Sequence, residues 1–269
     1  MSLSISQPPQ QPYVIIQISD THLMDRADLE FVRMNPEQSF HTVMQHILTH
    51  HPQIDAIIHT GDVAQVPVVE TYARYQAYMQ QLGIPFFQIP GNHDELSLFP
   101  FQSGESQPTA IESGNWCLIL LNSAVKGRID GHIKAADLQC LHDLLEQYAD
   151  KHVIVACHHH PFAMQSHWID QHKLKNSEDL TDVLARHSNV KAVLNGHVHQ
   201  DAFTEWEGIQ FLSAPSTCVQ FKPFSQDFAL DECEPGYRVL YLHQDGQFDS
   251  QVYRVKYQRT ATNAKISGY

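Results

Sequence analysis

Residues 14–22 read Val-Ile-Ile-Gln-Ile-Ser-Asp-Thr-His. The apolar, β-branched run Val14–Ser19 predicts a buried strand. It ends in Asp20 and His22, a carboxylate and an imidazole separated by one residue. In extended backbone, residues i and i+2 point the same way, so the pair is expected to grip one ion. The same grammar recurs along the chain. Ala56–His59 runs into Gly61-Asp62, and Phe86–Ile89 into Gly91-Asn92-His93-Asp94. Val153–Cys157 runs into His158-His159-His160, and Ala192–Asn195 into Gly196-His197-Val198-His199. Cys117–Asn122 is a further apolar run that reads as a strand.

Each patch has an ordinary alternative. Asp20 could cap an Asx turn, and Gly61-Asp62 could be a plain strand–helix turn. Asn92-His93-Asp94 could be a polar turn, and His197 with His199 a surface loop in a chain of 19 histidines. All of these would have to coincide at strand ends. Ligands gathered at the carboxyl ends of parallel strands are what open α/β sheets arrange. Two adjacent metal ions are the usual device for splitting a phosphate ester. Within the patches, the Asp62 carboxylate has two oxygens with which to bridge two ions. Asn92 offers an amide oxygen suited to a hard cation. His158 follows its strand directly and is preferred as a ligand over His159 and His160. Cys157 is expected to pack inward as a small hydrophobe. His93, next to Asn92, is expected to point elsewhere, towards substrate.

Helical patterns separate several of the strands: Pro36–His50, Val68–Leu82, Ala135–Tyr148 and Ser177–His187, the last with Ser177 as its cap. Strand–helix alternation implies parallel strands with right-handed crossovers. After Gly196 the strand-like runs Ile209–Ser213, Tyr237–His243 and Gln251–Tyr257 follow without long helices. They are expected to form a second, mostly antiparallel sheet packed on the first, with helices outside. One domain is expected over 13–258, with a flexible tail at 1–12 and a C-terminal tail at 259–269. Pro161–Asn176 reads as a lid or active-site loop.

Composition narrows the partners. The chain is 42% hydrophobic and 17% charged, enough for a sizeable core and unlike a disordered segment. Lys+Arg of 17 against Asp+Glu of 30 gives a charge of -13. That argues against nucleic acid and anionic membrane, both of which want a basic face. Met1–Pro12 has neither the basic nor the apolar region of a signal peptide, and no run approaches ~18 apolar residues. Five cysteines without a CxxC fit a reduced, cytoplasmic setting. A phosphate substrate is itself an anion, so attraction must come from cations in the site rather than from the surface.

The order Asp-x-His, Gly-Asp, Gly-Asn-His-Asp, His, Gly-His-x-His, from Asp20 to about Phe221, resembles the calcineurin-like metallophosphoesterases. The resemblance implies an α/β fold, a four-layer α-β-β-α sandwich of two mixed sheets with flanking helices. It implies one ion held by Asp20, His22, Asp62 and His199, and another by Asp62, Asn92, His158 and His197. His93 would be the catalytic, substrate-facing histidine, and His22, Asn92 and His199 would join it in contacting substrate. The family's protein phosphatases carry Gly-Asp-x-x-Asp-Arg-Gly, whereas Asp62 is followed by Val63-Ala64-Gln65-Val66. That branch is therefore disfavoured, and the carboxylate that would orient His93 is unassigned. His158-His159-His160-Pro161, Trp168-Ile169-Asp170-Gln171-His172, Pro215–Phe221 and Pro235-Gly236-Tyr237-Arg238 resemble the bacterial class III cyclic-nucleotide phosphodiesterases. This implies hydrolysis of 3',5'-cyclic AMP to 5'-AMP by attack of a metal-bridging hydroxide on phosphorus, with iron and manganese as the metals and zinc or cobalt acceptable. Phe221 or Trp168 could stack on the purine, with core packing the alternative. The rival readings are a phosphodiesterase for 2',3'-cyclic nucleotides or glycerophosphodiesters, and a non-catalytic scaffold. Nothing in the sequence separates a monomer from a homodimer.

Overall fold

The apolar runs form strands that alternate side chains between two different interiors. In the computed structural model, which describes residues 11–101 and 107–257, the first strand β1 spans Tyr13–Ile18. Its Ile15 enters one core and its Ile16 and Ile18 another. The next strand, β2 (Ala56–His59), does the same with Ile58 and Ile57. Such two-sided burial requires a sheet covered on both faces.

The helices α1 (Pro36–His50) and α2 (Val69–Gln81) connect β1, β2 and β3 (Phe86–Gln88). Asn35 caps α1 by accepting from the Gln38 N–H, and Pro36 fills the first turn where no donor is needed. Phe40, Val43, Met44 and Ile47 of α1 pack with Tyr72, Tyr75 and Met79 of α2 on the outer face of this sheet. The following strands are β4 (Thr109–Ser113), β5 (Trp116–Leu120), β6 (His152–Ala156) and β7 (Val190–Asn195). Helices α3 (Ala135–Gln147) and α5 (Ser177–Leu184) cover their outer face with Leu138, Leu141, Leu145, Leu180 and Leu184. A one-turn helix α4 (His167–Asp170) lies between β6 and α5. Trp116, Leu120, Ile154, Ala192 and Leu194 face inward, against Ile15, Ile58 and Leu240 of the first sheet. The result is the expected four-layer sandwich of two mixed sheets.

The remaining strands are β8 (Ala202–Trp206), β9 (Ile209–Ser213), β10 (Gln220–Phe221), β11 (Leu230–Asp231), β12 (Gly236–Leu242) and β13 (Phe248–Arg254). They do not make a sheet of their own, which corrects the sequence reading. The first sheet runs β13-β12-β1-β2-β3 and the second β4-β5-β6-β7-β9-β8, while β10 and β11 pair apart. β12 lies antiparallel to β1, with Ile15 opposite Leu240. β9 lies parallel to β7 and β8 antiparallel to β9. Ser177 is also not the cap of α5; Asn176 precedes the helix, and its amide bonds Ile133 instead.

The expected lid, Pro161–Asn176, is tied down. Leu174 donates to the His160 carbonyl, and Ser225 N–H donates to Ser166. Trp168 and Ile169 pack with Phe221 and Phe228 in a small separate core. The expected tails lie outside the described residues, except for Gln11 and Pro12.

Candidate metal centre

The loops after β1, β2, β3, β6 and β7 meet at the carboxyl ends of the parallel strands. The first sheet brings Asp20, His22, Asp62, Asn92 and His93; the second brings His158, His197 and His199. Asp20, His22, Asp62, His158, His197 and His199 are buried, and only Asn92 and His93 are half-exposed.

The pairs Asp20/His22 and His197/His199 are not extended, as their spacing had suggested. Asp20 and His22 both have φ of 53°, His197 68°, His199 50°, and Asp62 57°. Left-handed backbone costs a non-glycine residue roughly 1–2 kcal/mol, and such strain gathers where surrounding structure over-determines it. Here the surroundings are specific. Asp20 N–H donates to the Gly61 carbonyl at 2.9 Å, and His22 N–H to the Asp62 carbonyl at 3.0 Å. Both Asp20 carboxylate oxygens accept the His197 N–H at 3.1 Å. Asp20 thus holds the neighbouring loop rather than a local Asx turn. A side chain at Gly61 would strike the His158 ring, and one at Gly91 the Asp62 carboxylate.

Asp62 is the hub. Its Oδ2 lies 3.4 Å from His158 Nε2 and 3.9 Å from His22 Nε2, while its Oδ1 accepts the His93 N–H at 2.9 Å. His199 Nε2 lies 3.3 Å from Asp20 Oδ1 and 3.2 Å from His22 Nε2. His158 Nε2 lies 3.2 Å from Asn92 Oδ1 and 4.0 Å from Asp20 Oδ1. The outer ring nitrogens face oxygens. His158 Nδ1 meets the Thr60 carbonyl at 2.7 Å, His199 Nδ1 the Val219 carbonyl at 2.8 Å, and His22 Nδ1 the Gln65 side-chain oxygen at 2.9 Å. Only a protonated Nδ1 can bond those acceptors, so each Nε2 is the nitrogen left to face the cluster.

Two imidazole lone pairs 3.2 Å apart beside a buried carboxylate repel unless a proton or cation lies between them. His197 Nε2 is buried with no hydrogen-bond partner. Burial raises the Asp62 pKa, but His158, His93 and His22 pull it well below the carboxylate range. Burial lowers the His158 pKa, but Asp62 and Asp20 push it up to about 9. Burial, with His93 and His199 adding to it, drives His22 well below the imidazole range against the pull of Asp62 and Asp20. This donor set fits divalent metal ions. Four overlapping groups of side chains can each hold one: Asp20-His22-His199, Asp20-Asp62-His158, His22-Asp62-His93 and His158-His159-His197.

His159 is a poor member of the last group. Its Nδ1 accepts from the Ser123 hydroxyl at 2.8 Å and its Nε2 donates to the Ile129 carbonyl at 3.0 Å, which uses both ring nitrogens. His160 is buried 3.5 Å from Asp170. Cys157 is buried as expected, and burial pushes its thiol up to about 12. His93 is not turned away from the cluster; its ring meets that of His22 edge-on at 5.0 Å. Asp94 does not orient it. The Asp94 oxygens accept from the Gly91, Val63 and Ala64 N–H groups and from the Tyr72 hydroxyl, clamping the two loops together.

Two expected substrate contacts, His22 and His199, are buried. Phe31 stacks on His22 at 5.4 Å and Phe221 on His199 at 3.8 Å. Phe221 is 1% exposed and Trp168 packs edge-on against it, so Phe221 is core and not a purine platform. The motif around it braces the site: Ser216 donates to the Asp20 carbonyl and Thr217 N–H to the Ser19 carbonyl. Sequence reasoning missed Gln65, Thr60, Ser123 and His59. Buried His59 bonds Thr21 at 2.6 Å, and burial lowers its pKa to about 4. A groove of about 140 Å³, lined by Pro67, Asn92, His93, Leu96, Val125 and Lys126, opens beside the cluster.

A model of the calcineurin-like phosphoesterase family matches residues 13–201. The chain belongs to this family. Its relatives within the family are alike over nearly their full length. The chain is 36% identical over 259 residues to the 3',5'-cyclic adenosine monophosphate phosphodiesterase CpdA of Haemophilus influenzae, covering 95% of this chain and 94% of that one. It is 34% identical to CpdA of Escherichia coli K12 over the same shares. A 3',5'-cyclic-nucleotide phosphodiesterase of a Nostoc species is 34% identical, covering 91% of this chain and 94% of the relative. Among solved structures, a dimetal phosphatase of Danio rerio has the same fold, with a TM-score of 0.65 at 14% identity, over 92% of this chain and all of that one.

Proposed function

We propose that this protein is a metal-dependent phosphodiesterase that hydrolyses 3',5'-cyclic AMP to 5'-AMP. The observation that carries the reading is likeness to CpdA over 95% of the chain, combined with the buried Asp/His cluster. Asp20, His22, Asp62 and His199 would hold one ion, and Asp62, Asn92, His158 and His197 the other, with Asp62 shared. Asp62 Oδ2, between His22 and His158, supports the shared role. We take iron and manganese as the metals; the same donors accept zinc or cobalt. Such ions, when bound, supply the charge that ionises water at neutral pH and offsets that of a phosphate.

The chain's own groups do the rest. Asn92 and His93 border the groove and, with His22 and His199, touch the phosphoryl group. Asp62 fixes the backbone of His93, so the imidazole is positioned to stabilise phosphoryl oxygens or to protonate the departing 3' oxygen. The groove of about 140 Å³ receives the remainder of the diester. A cytoplasmic setting is supported by five free cysteines, and no helix among the described residues is long and apolar enough to cross a membrane.

The test is an initial-rate comparison of the Mn(II)-reconstituted protein on 3',5'-cyclic AMP, 3',5'-cyclic GMP, 2',3'-cyclic AMP and glycerophosphocholine. Preference for 3',5'-cyclic AMP with 5'-AMP as product is expected. No preference for 3',5'-cyclic nucleotides rejects the proposal.

A further inference from the structure

A second histidine cluster occupies the end of α1. His46 and His50 are four residues apart, hence on one face of the helix. Their rings stack with centroids 3.8 Å apart and planes 16° apart. His50 Nδ1 donates to the His46 carbonyl at 2.9 Å, which places the proton on Nδ1 and a lone pair on Nε2. His46 Nδ1 meets the Tyr237 hydroxyl at 3.0 Å, and His51 Nε2 meets that hydroxyl at 2.9 Å. A phenol has one proton to give, and burial holds Tyr237 protonated. When His51 takes that proton, His46 donates through Nδ1, and its Nε2 also carries a lone pair. Burial and neighbouring His50 lower the His46 pKa, which favours the neutral, ligating form.

We propose that His46 and His50 chelate a late first-row divalent cation, Zn(II), Cu(II) or Ni(II), through their Nε2 atoms, at a site separate from the Asp62 centre. Paired imidazoles select these borderline metals over magnesium or calcium, which want oxygen. Two histidines at i and i+4 on one helical face are the spacing by which a helix grips zinc. The two Nδ1 contacts supply the partners outside the coordination shell that orient ligating rings. His50 is exposed and His46 half-buried, so solvent completes the coordination. His51 is buried and serves through Tyr237, not as a ligand. A bound cation links the last turn of α1 to β12 through the His46–Tyr237 contact.

The test is calorimetric titration with Ni(II) of protein whose Asp62 centre is already loaded with Mn(II). Wild type is expected to bind one more equivalent than His50→Ala, or to bind it at least tenfold more tightly, with His46→Ala resembling His50→Ala. Tyr237→Phe is expected to weaken the site while retaining it. Phosphodiesterase turnover before titration should be the same in wild type and His50→Ala. Because His50 is exposed, its truncation leaves the fold intact. Equal stoichiometry and affinity in wild type and His50→Ala would overturn the proposal, whatever the substrate of the Asp62 centre.

Discussion

His22, His158 and His199 are wired alike, each with Nδ1 on an oxygen and Nε2 turned inward. Two of the oxygens are carbonyls of the frame, but the third belongs to Gln65, a side chain that can be removed. Gln65→Leu should leave the His22 ring without its orienting partner and weaken metal binding about 10–100-fold. Competition with a chelator on the loaded protein measures this, and unchanged affinity would remove Gln65 from that role. The sequence showed Gln65 only as a departure from the phosphatase signature; nothing in its spacing marks it as the partner of a histidine forty-three residues away. The catalytic role expected of His93 rests on the family resemblance, which leaves it beside Asn92 without a place in either ligand set. His93→Ala should retain both metals by elemental analysis and lose roughly 10²–10⁴-fold in turnover, the usual worth of a positioned acid or base. Full activity in that variant would assign the proton to another group.

Helices and inner strands were legible because their apolar periodicity is local: α1 covers Pro36–His50 and β2 Ala56–His59, as read. The loops after the strands were not. Asp20, His22, His197 and His199 take left-handed backbone because distant groups hold them there, among them the Asp20 carboxylate on His197 N–H. Intrinsic preference carries no trace of that. The pairing of β12 with β1 was equally hidden, since both faces of β12 are buried and its register depends on a strand some two hundred residues earlier. The junction of α1 and β12 gives a test at this scale. Burial lowers the His51 pKa below its ordinary 6.5, with His46 and His50 adding to the effect. Tyr237 and Tyr253 also face its ring. The unfolded chain therefore binds the proton more readily than the fold does. Stability from neutral His51 is full above pH 6.5 and declines as pH falls through it. Thermal melts of wild type and His51→Gln from about pH 7.5 to about pH 5, the imidazole range, should show the larger acid loss in wild type. Equal losses would mean that His51 is not a source of acid sensitivity.

The two sheets contribute different ligands. Asp20, His22, Asp62 and Asn92 follow strands of the first sheet, and His158, His197 and His199 follow strands of the second. The sheets also meet through apolar contacts such as Ile58, Leu240, Trp116 and Leu194 and through buried hydrogen bonds such as Gln17 Nε2 to the Asn195 carbonyl. Metal ions held by this cluster would therefore tie the two halves of the sandwich across their seam. They would also offset Asp20 and Asp62, two buried carboxylates in a chain of net charge -13. Binding to the folded state alone stabilises by about 2.7 kcal/mol per site at a free concentration a hundredfold above Kd. For a domain of this size, each kcal/mol moves Tm by about 2–4 °C. Chelating both ions should accordingly lower Tm by roughly 10–20 °C, and Mn(II) should restore it. Asp62→Ala, lacking the shared ligand, should lose both ions and nearly all activity, and its melting temperature should no longer respond to chelator or metal. A variant that still gained the full Mn(II) increment would show that the cluster holds its ions without a shared carboxylate, and that the two sheets are not joined through Asp62.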